Sequence, residues 1–242
     1  MTGQRQDERV ESEDSLFRRW PIGVDSWLRM GVAYLVLVLA GLGLGTLMTG
    51  PLARTALGRL DTDVSLWLEA NRSPFWDTSS RFGDSFADTF VVVGALIVLV
   101  VAMAWFWRRW REPLVLGFGL VLEASVFLTV SLIVGRERPP VEQLDISPAT
   151  ASFPSGHTGA AFTFYGLLAT IVFWNTRRLL PRVLAAALAV TIPVSVAVAR
   201  LYRGMHYLSD VVVGASLGIA CIVAAVTIVD RAIESSQPIG KS

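Results

Sequence analysis

His157 and His206 are the only two histidines in this 242-residue chain, and each stands among arginines and small polar residues. Imidazole is the side chain that can act as base or nucleophile near neutral pH. His206 lies in the segment Ala199–Asp210, ARLYRGMHYLSD, with Asp210 four residues later. A helix starting near Met205 would put the two on one face. A carboxylate there can accept the Nδ1 proton, fix the tautomer and leave Nε2 as the nucleophile. Compensation of a helix N-terminus is the other reading of Asp210, and the two roles are compatible. Arg200 brings a cation to the same segment. His157 closes the stretch Gly135–His157, GRERPPVEQLDISPATASFPSGH. Within it Ser155 reads as a helix N-cap, and Gly156 lets an oxyanion approach the backbone. The first-turn N–H groups then offer an anion site. Arg138 adds a planar fork matched to phosphate oxygens, and Pro139-Pro140 stiffens the loop after it. Each residue alone is a cap or a turn; their convergence predicts an anion-binding active site.

The elements that must position these residues are membrane spans. The chain is 53% hydrophobic and 17% charged, with mean hydropathy +0.54, against about 25% charged for a soluble domain. Six runs approach or reach the roughly 20 apolar residues that cross a bilayer: Gly31–Thr49, Phe90–Trp107, Pro113–Val134, Thr158–Trp174, Val183–Ala199 and Val211–Val229. The first reads as an uncleaved anchor, because its polar leader and apolar core are too long for a signal peptide. The expected fold is all-α: a polytopic membrane bundle of six transmembrane helices, with residues 1–29 and 231–242 as cytoplasmic ends. In the first outer loop, 50–89, the amphipathic piece Asp61–Ala70 reads as an interfacial helix, or as a lid, with Trp67, Phe75 and Trp76 in the aromatic belt.

Orientation follows from arginine. The short loops 108–112 and 175–182 hold Arg108, Arg109, Arg111, Arg177, Arg178 and Arg182, on the side of the arginine-bearing termini. The other side holds Arg54, Arg59, Arg72, Arg81, Arg136, Arg138, Arg200 and Arg203. The positive-inside rule puts the termini in the cytoplasm and both histidines on the extracytoplasmic face of the cell membrane. Net charge of +1 without a basic stripe excludes nucleic acid as partner. The single cysteine, Cys221, excludes an intramolecular disulfide and a cysteine-rich zinc site. Glu123 interrupts the third span, as a functional carboxyl or as a structural one paired with a hydroxyl or water inside the bundle. Gly41, Gly43, Gly45, Gly214 and Gly218 read as close-packing positions, and Pro193 as a kink in the fifth span.

Arg138-Pro139, then Pro154-Ser155-Gly156-His157, then Arg200 with His206 and Asp210, resemble the three signature motifs of the type 2 phosphatidic acid phosphatase family. The resemblance implies a metal-independent, cofactor-free phosphatase acting on a lipid phosphomonoester or pyrophosphate through a phosphohistidine. His206 would attack phosphorus, Asp210 would orient it, and His157 would protonate the leaving oxygen. Arg138, Arg200, Ser155 and the Gly156 amide would hold the phosphoryl oxygens. Implied partners are a lipid phosphate substrate and membrane lipids, with oligomeric state open. Two positions depart from the family pattern: Ser131 stands where the first motif has lysine, and Ala199 where the third has serine. Arg136 or Arg203 is expected to restore the missing charge. The competing readings are a phosphotransferase using the same phosphohistidine, a catalytically weakened lipid-binding or transport relative, and a His157–His206–Asp210 metal site. The surrounding arginines argue against the last.

Overall fold

A computed structural model describes residues 20–146 and 150–236, and every regular element among them is helical. Helix α1 covers Val24–Thr49, and a single 3₁₀ turn, Leu52–Arg54, leads to α2, Ala56–Ala70. Then come α3 (Pro74–Ser85), α4 (Thr89–Trp107), α5 (Arg111–Val134), α6 (Gly156–Asn175), α7 (Leu179–Tyr202) and α8 (Leu208–Ser236). Six helical stretches are long and apolar enough to cross a membrane: Val24–Arg54, Pro74–Trp107, Arg111–Val134, Gly156–Asn175, Leu179–Tyr202 and Leu208–Ser236. The chain is a multi-pass membrane protein. Most of the N-terminal segment and the end of the C-terminal one lie outside the described residues.

The expected loop 50–89 is instead almost wholly helical. Ser73-Pro74 starts α3, with Ser73 Oγ accepting from Trp76 N at 3.4 Å and proline in the first turn. Asp88 caps α4 by accepting from Phe90 N at 2.9 Å. Helix α2 is amphipathic in an inverted sense: Asp61 and Ser65 are buried against the protein, while Leu60, Leu66 and Trp67 are exposed. Trp67, Phe75 and Trp76 are all more than half exposed, as a membrane-interface belt requires.

Helix α6 sits at the centre, packed on α5, α7 and α8, while α1 packs on α5 and α8, α3 on α7, and α4 on α5. Since lipid is as apolar as leucine, such contacts depend on close approach. A Cβ at Gly214 would run into the Ser155 carbonyl, and one at Gly218 into the Gly159 carbonyl, so α8 lies directly on α6. Gly41 and Gly45 meet Val130 and Val134 in the same way. Gly43 does not: nothing lies within 4 Å of its Cβ position, so it faces away from the bundle. Pro193 is buried, and α7 continues through it to Tyr202. Beneath the site Val126, Val130, Phe153, Val213 and Cys221 form one apolar cluster, and Val115, Leu116, Leu167 and Val229 form another toward the opposite end. That far end is tied by Arg111–Asp230 at 2.9 Å and Arg109–Glu112 at 2.8 Å.

Candidate active site

The predicted residues all fall where four helices end on one face. Helix α5 stops at Gly135, in the left-handed conformation (φ 62°), and releases Arg136 and Arg138. Residues 152–155 lead into α6, whose first turn holds Gly156 and His157, Arg200 is in the last turn of α7, and Asp210 in the first turn of α8. The connection holding His206 turns at Gly204, whose φ of 72° suits glycine. Backbone bonds stitch these segments together: Ser152 N to Arg136 O at 2.8 Å, Leu144 N to Arg203 O at 3.1 Å, and Ser155 N to Asp210 O at 3.0 Å.

His206 is buried, and its Nδ1 lies 2.6 Å from the Ser152 carbonyl. A carbonyl only accepts, so Nδ1 carries the proton and Nε2 keeps its lone pair. The partner is not Asp210, as the four-residue spacing suggested. Helix α8 begins at Leu208 rather than near Met205, so His206 precedes it and shares no helical face with Asp210. Asp210 Oδ2 instead accepts from Ser152 Oγ at 2.5 Å and from Tyr207 N at 2.9 Å, closing the helix start in the manner of a capping box. Asp210 therefore acts on His206 at one remove, by holding Ser152. Burial, then the charges of Arg200 and Arg138, push His206 well below its ordinary value of 6.5, leaving the ring neutral.

Arg200 donates to Asp84 Oδ2 at 2.9 Å and more distantly to Asp145 Oδ2 at 3.5 Å, and its buried Nε has no partner among the described residues. Arg138 donates to Met205 O at 2.5 Å and Thr150 O at 3.2 Å. Burial, then Arg200, lowers its pKa. Ser155 occupies the N-cap position of α6, but its hydroxyl pairs with Thr158 Oγ1 at 2.9 Å rather than with a backbone N–H. The amides of Gly156, His157 and Thr158 accordingly have no acceptor among the described residues. Gly156 has a packing reason as well, since a Cβ there would strike the Phe127 ring. His157 is partly buried, within electrostatic reach of Arg200, Asp84, Asp88 and Asp145. Together these groups present cationic forks and unused amides around a neutral imidazole, a setting suited to a phosphoryl group.

Neither arginine proposed to replace the missing lysine is available. Arg136 donates to Asp210 Oδ1 at 2.5 Å, Asp61 Oδ2 at 2.9 Å and Ser209 Oγ at 2.8 Å, and lies 4.2 Å over the Tyr207 ring. Arg203 pairs with both oxygens of Asp145 and donates to Ser80 Oγ and the Leu144 carbonyl. Burial opposes ionisation of Asp145, yet Arg203 and Arg200 hold its carboxyl below the usual range. Ser131 is fully buried and accepts from Ala151 N at 3.1 Å, fastening the loop that carries Ser152. Glu123 lies two turns deeper, its Oε1 against Gly159, with no hydroxyl partner among the described residues.

Sequence reasoning missed Asp61, Ser152, Asp84 and Asp145. Ser152 had a usable signal, two residues before Pro154 in the motif stretch. Asp61 and Asp84 had none, since each is one acidic residue in a segment far from the motifs.

The PAP2 superfamily model matches residues 91–234, more than half of the chain. A Mycobacterium tuberculosis protein, decaprenylphosphoryl-5-phosphoribose phosphatase, is 31% identical over 129 residues, covering 52% of this chain and 66% of its own length. Phosphatidylglycerophosphatase B of Bacillus subtilis is 27% identical over 129 residues, covering 51% of this chain and 61% of its own. Among solved structures, a transmembrane PAP2 type phosphatidylglycerolphosphate phosphatase from Bacillus subtilis superimposes with TM-score 0.66 at 20% identity, over 85% of this chain and 98% of that one. LpxE from Aquifex aeolicus gives 0.53 at 23% identity, over 69% and 95%. At these identities the two structures speak for the fold.

Proposed function

The chain belongs to the PAP2 superfamily, and on that premise we propose that it is an integral-membrane phosphatase that removes a terminal phosphoryl group from a lipid through a phosphohistidine. The observation that carries the reading is the commitment of His206 Nδ1 to the Ser152 carbonyl, which leaves Nε2 as a buried, unprotonated nucleophile. Nε2 attacks phosphorus as the P–O bond to the lipid breaks, and His157 gives its proton to the departing oxygen. Water, activated by the now neutral His157, then attacks the phosphohistidine and restores His206. Arg200, Arg138 and the amides of Gly156, His157 and Thr158 hold the non-bridging oxygens, over which the transition-state charge is spread. Catalysis is then mostly positioning and electrostatics. Substrate reaches the site laterally, at the level of α2 and α3.

The substrate class is an amphiphilic phosphomonoester or pyrophosphate: phosphatidic acid, phosphatidylglycerol phosphate, a polyprenyl pyrophosphate, or a polyprenylphosphoryl sugar phosphate of the kind named for the mycobacterial relative. The site faces the extracytoplasmic side of the cell membrane, with both termini in the cytoplasm. The test is phosphate release from that panel by purified protein. At least one lipid should be turned over in the presence of chelator, with inhibition by vanadate. Loss of His206 to alanine should lower the rate by roughly a thousandfold or more, the scale seen when a covalent nucleophile is removed. Absence of release from every lipid, or retention of activity in His206→Ala, contradicts the proposal.

A further inference from the structure

Asp61 belongs to the amphipathic helix α2, some 75 residues before Arg136 and 148 before Ser209, and it is 1% exposed. A carboxylate enclosed this fully needs its charge met. Three groups meet it: Ser209 N donates to Oδ1 at 2.9 Å, Ser209 Oγ donates to Oδ2 at 2.5 Å, and Arg136 Nη2 donates to Oδ2 at 2.9 Å. Arg136 Nη1 continues the series to Asp210 Oδ1 at 2.5 Å, Asp210 Oδ2 accepts from Ser152 Oγ at 2.5 Å, and the Ser152 carbonyl accepts from His206 Nδ1 at 2.6 Å. The series Asp61–Arg136–Asp210–Ser152–His206 is unbroken. It begins on a helix whose other side leaves Leu60, Leu66 and Trp67 exposed.

The charges along it decide its purpose. Asp210 alone would set one negative charge behind His206, but Arg136, bonded to it, cancels that charge. Asp61 adds a second carboxylate to the same guanidinium and returns the group to a net charge of −1. Attack by Nε2 turns the neutral ring into a cation, among Arg200 and Arg138, which oppose it. A net negative charge on the Nδ1 side favours that change, and it gains strength in a buried setting of low dielectric. We propose that Asp61 is a positioning residue of the reaction, which through Arg136 keeps the Asp210–Ser152 pair negative and aligned behind His206. Asp61 touches no substrate, so it acts on turnover and not on binding. The inference rests on the phosphatase reading.

The test compares kcat, KM and melting temperature of wild type, Asp61→Asn, Arg136→Gln and the double variant, on detergent-purified protein that elutes as one folded species. Asp61→Asn should lower kcat by about tenfold or more while KM stays within about threefold, the pattern of an interaction made only in the transition state. The double variant removes one charge of each sign and keeps the net −1. It should be no less active than Asp61→Asn alone, whereas independent structural damage would multiply the two losses. Asp61→Glu retains the charge and should keep kcat within about fivefold of wild type; it carries the comparison if Asp61→Asn folds poorly. Wild-type turnover in Asp61→Asn, a double variant whose loss is the product of the single losses, or a glutamate variant as slow as the asparagine one would each overturn the proposal. Wild-type protein that releases phosphate from no lipid would overturn the phosphatase reading itself, and this inference with it.

Discussion

A nucleophilic imidazole has to be neutral before attack and charged after it, and His206 meets the first condition through its surroundings. Because burial and two arginines hold its pKa well below 6.5, the ring stays unprotonated through mildly acidic pH. The acid limb of kcat/KM due to His206 should therefore fall below 6.5, and a pH–rate profile with that limb above 6.5 would contradict this. The same shift has a stability sign. The unfolded chain binds a proton as pH drops through about 6.5 while the folded ring does not, so folding is weakened on the acid side of that value. Ser152→Ala keeps the carbonyl but removes the hydroxyl that ties it to Asp210. A kcat reduction of about tenfold, with KM little changed, is expected from steady-state kinetics. Arg203→Ala leaves the Asp145 carboxylate without its bidentate partner. Since Asp145 is partly exposed, the cost should sit near the low end for a broken pair, about 3 kcal/mol, read as a lower melting temperature.

Helices α6 and α8 carry His157, the first-turn amides and the Asp210 carboxylate of the proposed site, and the contact between them fixes their spacing. That contact exists because Gly214 and Gly218 let α8 touch the carbonyls of Ser155 and Gly159. Gly214→Ala should push α8 away from Ser155, cost about 1–3 kcal/mol as overpacking does, and reduce activity with it. Gly43→Ala has open space and a helical site, and should leave activity intact while stabilising by up to about 1 kcal/mol. Thermal unfolding of the two variants side by side checks both. Helix α2 shows how an element's polarity reports its place. A surface helix on a soluble domain turns its polar face outward, whereas α2 turns Asp61 and Ser65 inward and Leu66 and Trp67 outward. That inversion suits an element with protein chemistry on one side and lipid on the other.

For the molecule as a whole, alternating spans put the motif-bearing ends of α5, α6, α7 and α8 on one face and the Arg109, Arg111 and Asp230 contacts on the other. The proposed orientation can be measured directly, because Cys221 is the single cysteine and is buried. With Cys221 replaced by alanine, a cysteine at the 97% exposed Ile146 should react with a membrane-impermeant maleimide added outside intact cells. One at Leu179, exposed at the start of α7, should react only after the cells are opened. The reverse pattern would place the site in the cytoplasm.

The sequence alone determined the helical class, the six spans and the set of motif residues, because each depends on local chemistry. Apolar run length decides what a bilayer admits, and histidine, arginine and Pro-Ser-Gly at those spacings mark where the proposed phosphate chemistry would occur. Tertiary structure decided the partnerships. Spacing suggested that Asp210 would meet His206, but the late start of α8 gave that place to the Ser152 carbonyl. Charge counting suggested that Arg136 or Arg203 would be free to bind phosphate, but carboxylates from α2, α8 and the 135–146 segment had already engaged them. Asp61 was illegible for the same reason. An ion pair across 75 residues leaves no periodicity in the chain, and only packing brings its two ends together.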